Sequence, residues 1–134
     1  MAFATRTLID TGKASTGYGK VVILLDLSAH NASATALDAD GLNGFANGAK
    51  LNIRRIRWSL TASSSNGGSA LIEFKGASSD TSAIRLAGSG YYDGPAINGN
   101  ATNTGATSAD IECVPVNATG FIMIEFSKDS GWSA

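Results

Sequence analysis

Few residues of this chain have side chains that could do chemistry. Among its 134 residues there is one histidine, His30, and one cysteine, Cys113. A serine-histidine-aspartate triad would have to combine His30 with Asp26 and Ser28. Neighbouring residues of a strand point to opposite faces, so three residues within one five-residue stretch cannot converge as a triad requires. We predict no catalytic residues and expect the chain not to be an enzyme.

Paired carboxylates are the second arrangement that could act chemically, because two acids at a suitable spacing can hydrolyse a glycosidic bond. The chain has 11 acidic residues, and they are scattered along it. Glu73, Glu112 and Glu125 lie in strand-like runs that could be neighbours. We interpret them as partners of basic side chains across strands. The basic residues suited to this pairing are Arg55, Arg57 and Lys75.

The segment 38–44, with the sequence DADGLNG, superficially resembles a calcium-binding loop. It does not keep the register of such a loop, because Asn43 replaces the glycine of the sixth position and Ala49 replaces the glutamate of the twelfth. We predict a turn or surface loop here, and we expect no metal ion and no other cofactor.

The overall charge argues against nucleic acid as a partner. The net charge is −1 and charged residues make up 16% of the chain, below the typical share of about a quarter. Tight phosphate binding needs an excess of Lys and Arg on one face. The alternation of a strand separates Arg54 from Arg55 and Arg57, so no continuous basic stripe is expected.

Hydropathy argues against a membrane. The sequence opens without a basic stretch followed by an apolar run, so we expect no secretory signal and synthesis in a cytoplasm. The longest apolar stretch, 21–25, is too short to span a bilayer. Cys113 lies in an apolar run and is predicted to be a small buried side chain rather than a reactive thiol.

The elements that would position these residues are strands. Short β-branched or alternating runs separated by Gly, Asn and Ser predict an all-β fold, an antiparallel β-sandwich. Segments 28–49 and 88–105 are predicted as long loops, with one possible helical turn at 32–39, and segment 117–120 as a turn. The predicted strands are 20–27, 50–61, 70–74, 83–86, 110–116 and 121–126.

Two strands have informative side-chain patterns. In 50–61 the apolar parity switches at Arg54-Arg55, which predicts a β-bulge or the meeting of two strands. In 121–126 both faces are apolar, which suggests a strand covered by the core on one side and by a partner or loop on the other. We divide the chain into an N-terminal arm or short strand (1–19), a sandwich domain (20–128) and a tail (129–134).

The order of motifs between Leu51 and Lys128 resembles the capsid decoration, or cement, proteins of tailed bacteriophages. None of these motifs is a catalytic signature, and together they cover a little over half of the chain. The matching segments are IRRIRWSL (53–60), ALIEFKG (70–76), LAGSG (86–90) with Tyr92-Asp93, Ile97-Asn98, Thr104-Gly105 leading into Ala109-Asp110-Ile111, and FIMIEFSK (121–128).

This resemblance implies a jelly-roll-like sandwich that binds the outer surface of the phage head, commonly as a homotrimer, and bridges neighbouring major capsid protein subunits. The location would be the capsid surface of the virion. An N-terminal arm around Phe3, Leu8 and Ile9 would contact a neighbouring subunit.

Aromatic residues in predicted loops are the other candidates for a partner interface. Tyr91, Tyr92 and Trp132 could stack on sugars or fill a pocket on a protein, or could pack locally over the sandwich edge. They leave open a second function, a carbohydrate- or receptor-binding module of a phage tail or baseplate. A head-tail connector or other minor virion part is a third.

Overall fold

The structure is a computed structural model that describes residues 3–12, 19–30, 33–76, 79–99, 108–128 and 132, with the backbone alone for residues 29 and 30. Within these residues there is one short 3-10 helix, Ala39–Gly41, and no helix long and apolar enough to cross a membrane. The strands are β1 (Ala4–Asp10), β2 (Lys20–His30), β3 (Ala34–Leu37), β4 (Leu51–Ala62), β5 (Ser69–Phe74), β6 (Thr81–Ala87), β7 (Ser89–Tyr92), β8 (Ile111–Val116) and β9 (Ala118–Lys128).

These strands form two antiparallel sheets, which confirms the predicted all-β sandwich. The five-stranded sheet has the order β1-β2-β9-β4-β7, and the four-stranded sheet has the order β3-β8-β5-β6. The pairing is nested along the chain: β2 pairs with β9, β3 with β8, β4 with β7, and β5 with β6. The chain from β2 to β9 is therefore a long hairpin folded over into two layers.

Strict side-chain alternation builds the core between the layers. Ile122, Ile124 and Phe126 of β9 are fully buried, as the sequence pattern predicted. From the four-stranded sheet, Ala70 and Ile72 of β5 are buried opposite them. Full burial of such an aliphatic or aromatic side chain contributes about 1.5–3 kcal/mol.

The predicted bulge in the basic strand is present. The register between β4 and β9 shifts between Ile53 and Arg55, so one additional residue is accommodated in β4. As a result Ile53 and Ile56 both face the core although their parities differ. Trp58 shares the inward parity of Ile56 but is only half-buried, and its Nε1 donates a hydrogen bond to the carbonyl oxygen of Ala87 at 2.9 Å.

Three segments differ from the predictions. The predicted loop 28–49 contains β3, which lies where the helical turn at 32–39 was predicted, and a 3-10 helix follows at Ala39–Gly41. The predicted loop 88–105 contains β7, paired with β4. The sequences ATAL and SGYY are too short and too poor in β-branched residues to be recognised as strands, and tertiary pairing decides their conformation. Strand β9 begins at Ala118, so the predicted turn shrinks to Asn117, which has a φ of 43°.

The N-terminal segment is a strand in its described part. β1 pairs with β2 and forms one edge of the five-stranded sheet, with a register shift between Thr7 and Ile9. Residues 13–18 lie outside the described residues, as does all of the predicted tail except Trp132.

Candidate binding face

The candidate site is the face of the five-stranded sheet that is turned away from the four-stranded sheet, called the outer face below. Because side chains alternate, the residues between the buried positions of β2 and β9 point outward. Val22 is such an outward residue. It is buried, but it is not part of the core cluster that contains Val21 and Ile23. No other strand of the described chain stacks on this face.

Apolar side chains occupy the middle of the outer face. Leu24 of β2 lies directly beside Met123 of β9, and Phe121 lies two residues further along β9. All three are half-buried although no second layer covers them. Ile9 extends the apolar area to edge strand β1, where it pairs with Val22. An apolar centre of this kind is typical of a protein-protein interface.

Charged and aromatic side chains surround this centre. Arg6 of β1 pairs with Leu24 on one side, and Arg57 of β4 pairs with Met123 on the other. Arg57 in turn pairs with Tyr91 of edge strand β7, whose side chain is 71% exposed. The row across the sheet is therefore Arg6, Leu24, Met123, Arg57 and Tyr91.

A salt-bridge cluster lies beside this row. Nη1 of Arg55 is 2.9 Å from Oε2 of Glu125, and its Nε is 3.3 Å from Oδ1 of Asp93. Nζ of Lys20 lies 3.9 Å from Oε1 of Glu125. The predicted pairing of Glu125 with Arg55 is confirmed. Neither Arg6 nor Arg57 has a salt bridge within the part of the chain that the structure describes.

A groove of about 340 Å³ crosses the outer face between the centre and the edge. Its volume is at the lower end of the range of small-ligand pockets. A second groove of about 500 Å³ adjoins it and shares Arg55, Asp93 and Glu125. The first groove is lined by Val22, Arg55, Ile56, Arg57, Tyr91, Tyr92, Asp93, Met123 and Glu125.

The structure separates the predicted interface residues into available and buried ones. Leu8 and Ile9 are each 41% exposed, and Tyr91 is the most exposed aromatic side chain among the described residues. Tyr92 is half-buried, and its hydroxyl donates a hydrogen bond to the carbonyl oxygen of Pro95. It packs partly against the core and lines the first groove, so it is less available to a partner than Tyr91.

Two of the predicted interface residues are core residues. Phe3 is buried in the main hydrophobic cluster, so it cannot serve as the contact of an arm. Trp132 is also buried: its Nε1 donates to the carbonyl oxygen of Lys50 at 2.6 Å, and its ring packs edge-on against Phe45 at 5.8 Å. A polar sequence around an aromatic residue gave no sign of this burial, because the covering residues are distant in the chain.

A cluster of carboxylates lies on the opposite face of the sandwich. Oxygen atoms of Glu73, Asp80 and Glu112 lie within 4.8 Å of one another, a spacing that could hold a divalent cation. Nζ of Lys75 already donates to Glu112 at 3.1 Å, and Asp80 accepts the backbone N–H of Gly76 at 3.1 Å. The predicted pairing of Glu112 with Lys75 is confirmed. Burial, together with the charges of Asp80 and Glu112, raises the pKa of Glu73.

The aspartate-rich segment 38–44 is anchored by Asp110, which directly precedes β8. Oδ1 of Asp110 accepts the buried backbone N–H of Ala39 at 2.8 Å, and burial raises the pKa of Asp110. A hydrogen bond with Asp38 raises the pKa of Asp40. The described geometry is that of a fixed surface turn, as predicted.

The structure describes the side chain of the single cysteine but not that of the single histidine. Cys113 is fully buried, which confirms the prediction, and burial raises the pKa of its thiol to about 12. The side chain of His30 lies outside the described residues.

The outer face was only partly predicted from the sequence. The apolar pattern on both sides of β9 indicated a covered strand, and Phe121 and Met123 carried that signal. In β2, Val22 and Leu24 carry the same signal on the outer face, but the run 21–25 is apolar throughout and does not show which side chains point outward. Comparisons with protein-family models, with curated proteins and with solved structures found no match.

Proposed function

We propose that this chain is a virion structural protein: a capsid decoration, or cement, protein that binds the outer surface of a bacteriophage head and stabilises contacts between major capsid protein subunits. The observation that carries the proposal is the outer face, with its apolar centre, its arginine and tyrosine rim and no covering layer in the described chain. The resemblance of 51–128 to such proteins supplies the kind of partner.

The strand connectivity supports this proposal. We infer a jelly-roll fold, because the nested pairs from β2–β9 to β5–β6 are those of a hairpin rolled into two facing four-stranded sheets, with β1 as an additional edge strand. Jelly rolls are common in viral capsid and lectin domains.

The surface composition suits repeated docking on a shell. A shell presents the same contact many times, and linked contacts can be individually modest while the assembly is tightly held. Short side chains such as Gly, Ser, Thr and Asn lose little rotamer entropy when a contact orders them. The chain needs no catalytic group for this role, and binding is the activity we assign to it.

Self-association would add to this avidity. We propose a homotrimer in which edge strand β1 contributes a contact through Leu8, which is exposed at the register shift of this strand. Light scattering after size exclusion would test this, with a mass near three times 13.6 kDa as the expected result. A mass near 13.6 kDa would contradict a preformed trimer.

The test of the function uses heads assembled without this chain. Heads are purified from an infection in which its gene is deleted, mixed with the purified chain and sedimented. We expect saturable co-sedimentation and a higher temperature of DNA release from the decorated heads. Absence of binding to these heads would overturn the proposal.

One observation favours a second candidate, a carbohydrate- or receptor-binding module of a tail or baseplate. Tyr91 stands exposed beside a groove that also contains the carboxylates of Asp93 and Glu125, groups that can accept hydrogen bonds from sugar hydroxyls. Binding on a glycan array that is lost in Tyr91→Ala would support it. No binding to glycans together with binding to heads would exclude it.

A further inference from the structure

We propose that the outer face is the footprint on the shell, and that the shell surface it fits is an apolar protein patch flanked on two sides by carboxylates. This inference rests on the proposed function and specifies its partner by chemistry. Its basis is the row Arg6, Leu24, Met123 and Arg57, in which two arginines bracket two apolar side chains.

The spacing of the two arginines defines the partner. Arg6 is on β1 and Arg57 is on β4, and β2 and β9 lie between them. Three strand spacings separate the two backbones by about 14 Å. A partner that covers Leu24 and Met123 must therefore place acceptors for guanidinium groups on both sides of its own apolar centre.

Carboxylates are the groups on the partner that would best pair with these two arginines. Arg55 is already held by Glu125 and Asp93, whereas Arg6 and Arg57 have no salt bridge in the described chain. Docking would remove water from both guanidinium groups, and a desolvated charge is costly unless it is paired. Carboxylates can pair with a guanidinium group through two parallel hydrogen bonds.

A second copy of this chain does not fit the same face. A two-fold axis along the strands between Leu24 and Met123 would place Arg6 of one copy over Arg57 of the other. A two-fold axis across the strands would place each arginine over its own counterpart. Both arrangements bring like charges together at the interface, which disfavours them.

Charge reversal on the outer face, with a control on the opposite face of the sandwich, tests the footprint. Heads that lack the chain are titrated with wild type, with the double variant Arg6→Glu/Arg57→Glu, and with Arg85→Glu. Arg85 is the matched control, because it is an exposed arginine that points outward from β6 beside Leu71 on the opposite side of the sandwich. We expect the double variant to bind at least about tenfold more weakly, and Arg85→Glu to stay within about twofold of wild type.

Four further variants test the charge of the two arginines and the apolar centre separately. The double variant Arg6→Lys/Arg57→Lys keeps the positive charges but loses the paired hydrogen bonds of the guanidinium groups. Its binding should fall between that of wild type and that of Arg6→Gln/Arg57→Gln, which should lose most of it. Met123→Glu should weaken binding more than Val114→Glu, an outward apolar position of β8 on the opposite face. Thermal melts show that each variant is folded.

The outcomes distinguish the footprint from the function. If Arg6→Glu/Arg57→Glu binds like wild type, or if Arg85→Glu loses binding, the proposed footprint is overturned. The decoration role is then left intact. If Arg6→Gln/Arg57→Gln binds heads as tightly as wild type, the inference that the partner presents carboxylates is overturned. Failure of the wild type to bind heads overturns the proposed function and this inference with it.

Discussion

Nζ of Lys128 lies 2.7 Å from Oδ1 of Asp10, which links the end of β9 to the end of β1 although β2 lies between these strands. The same ammonium group donates to the carbonyl oxygens of Thr11 at 2.8 Å and Asn43 at 2.6 Å, so all three of its hydrogens are used. It lies 4.9 Å from the centre of the Trp132 ring, and the side chain is fully buried. One lysine thus holds together β1, the loop after the 3-10 helix and the C-terminal tryptophan.

Lys128→Met should therefore lower the free energy of unfolding by about 3–5 kcal/mol, because it leaves a partly buried carboxylate and two carbonyl groups without their donor. Urea denaturation measures the effect. Lys20→Met is the control. Lys20 is half-exposed, and its one salt bridge among the described residues is long, with Nζ 3.9 Å from Oε1 of Glu125. Its loss should change stability by less than about 1 kcal/mol. Equal effects of the two substitutions would show that the buried lysine is not a structural link.

Gly120 is the position where a methyl group should be least tolerated. It has a φ of 128°, and a Cβ there would collide with the carbonyl oxygen of Ser59 in the neighbouring strand β4. Gly120→Ala should destabilise the fold by more than about 1 kcal/mol, since it adds backbone strain to a steric clash. Gly88→Ala is a useful comparison: its φ is also positive, at 62°, but a Cβ would meet no atom within 4 Å.

Thermal unfolding of the two glycine variants separates the contributions. We expect Gly120→Ala to melt well below Gly88→Ala, because Gly120 combines the clash with β4 and a φ of 128°, whereas the φ of 62° at Gly88 lies in the left-handed region that alanine can enter. Identical melting temperatures would mean that β4 and β9 can separate at this point without loss of stability.

The fold was predictable from the sequence where alternation is regular. The bulge at Arg54-Arg55 and the buried positions of β5 and β9 follow from side-chain parity, which needs no knowledge of the partner strand. β3 and β7 were not predictable, because each has only four residues, too few to show an alternating pattern, and becomes a strand through pairing with β8 or β4.

The candidate site was predictable only in part for a related reason. The exposure of Leu8, Ile9 and Tyr91 agrees with the sequence-based expectation, while Phe3 and Trp132 are buried by residues far away in the chain. The row from Arg6 to Arg57 depends on which strands are neighbours. Strand order is a property of the folded sheet, so no single segment of sequence contains it.

Cys113 should be inert in the folded protein. Its side chain is fully buried, and a thiol with a pKa of about 12 has almost no thiolate at neutral pH. We expect reaction with a disulfide reagent at pH 8 only at the rate of unfolding, and complete reaction in denaturant. Rapid labelling under native conditions would contradict the burial of this residue.

Glu73 should make the protein less stable as the pH rises. Burial, followed by the charges of Asp80 and Glu112, raises the pKa of Glu73 above its ordinary value of 4.5 in the folded state. Between that ordinary value and the raised one, the folded state binds more protons than the unfolded state. The free energy of unfolding contributed by this group therefore falls as the pH rises through this window.

Glu73→Gln removes the titration and keeps the shape of the side chain. Below pH 4 it should match the wild type, in which Glu73 is then protonated in both states. As the pH rises through the window, the variant should become progressively more stable than the wild type, because glutamine cannot acquire a charge opposite Glu112. Urea denaturation from pH 3.5 to 7.5 measures the difference between the two curves. Glu125→Gln, which breaks the Arg55 salt bridge, should give no such gain, and a constant offset for Glu73→Gln would show that Glu73 does not carry this pH dependence.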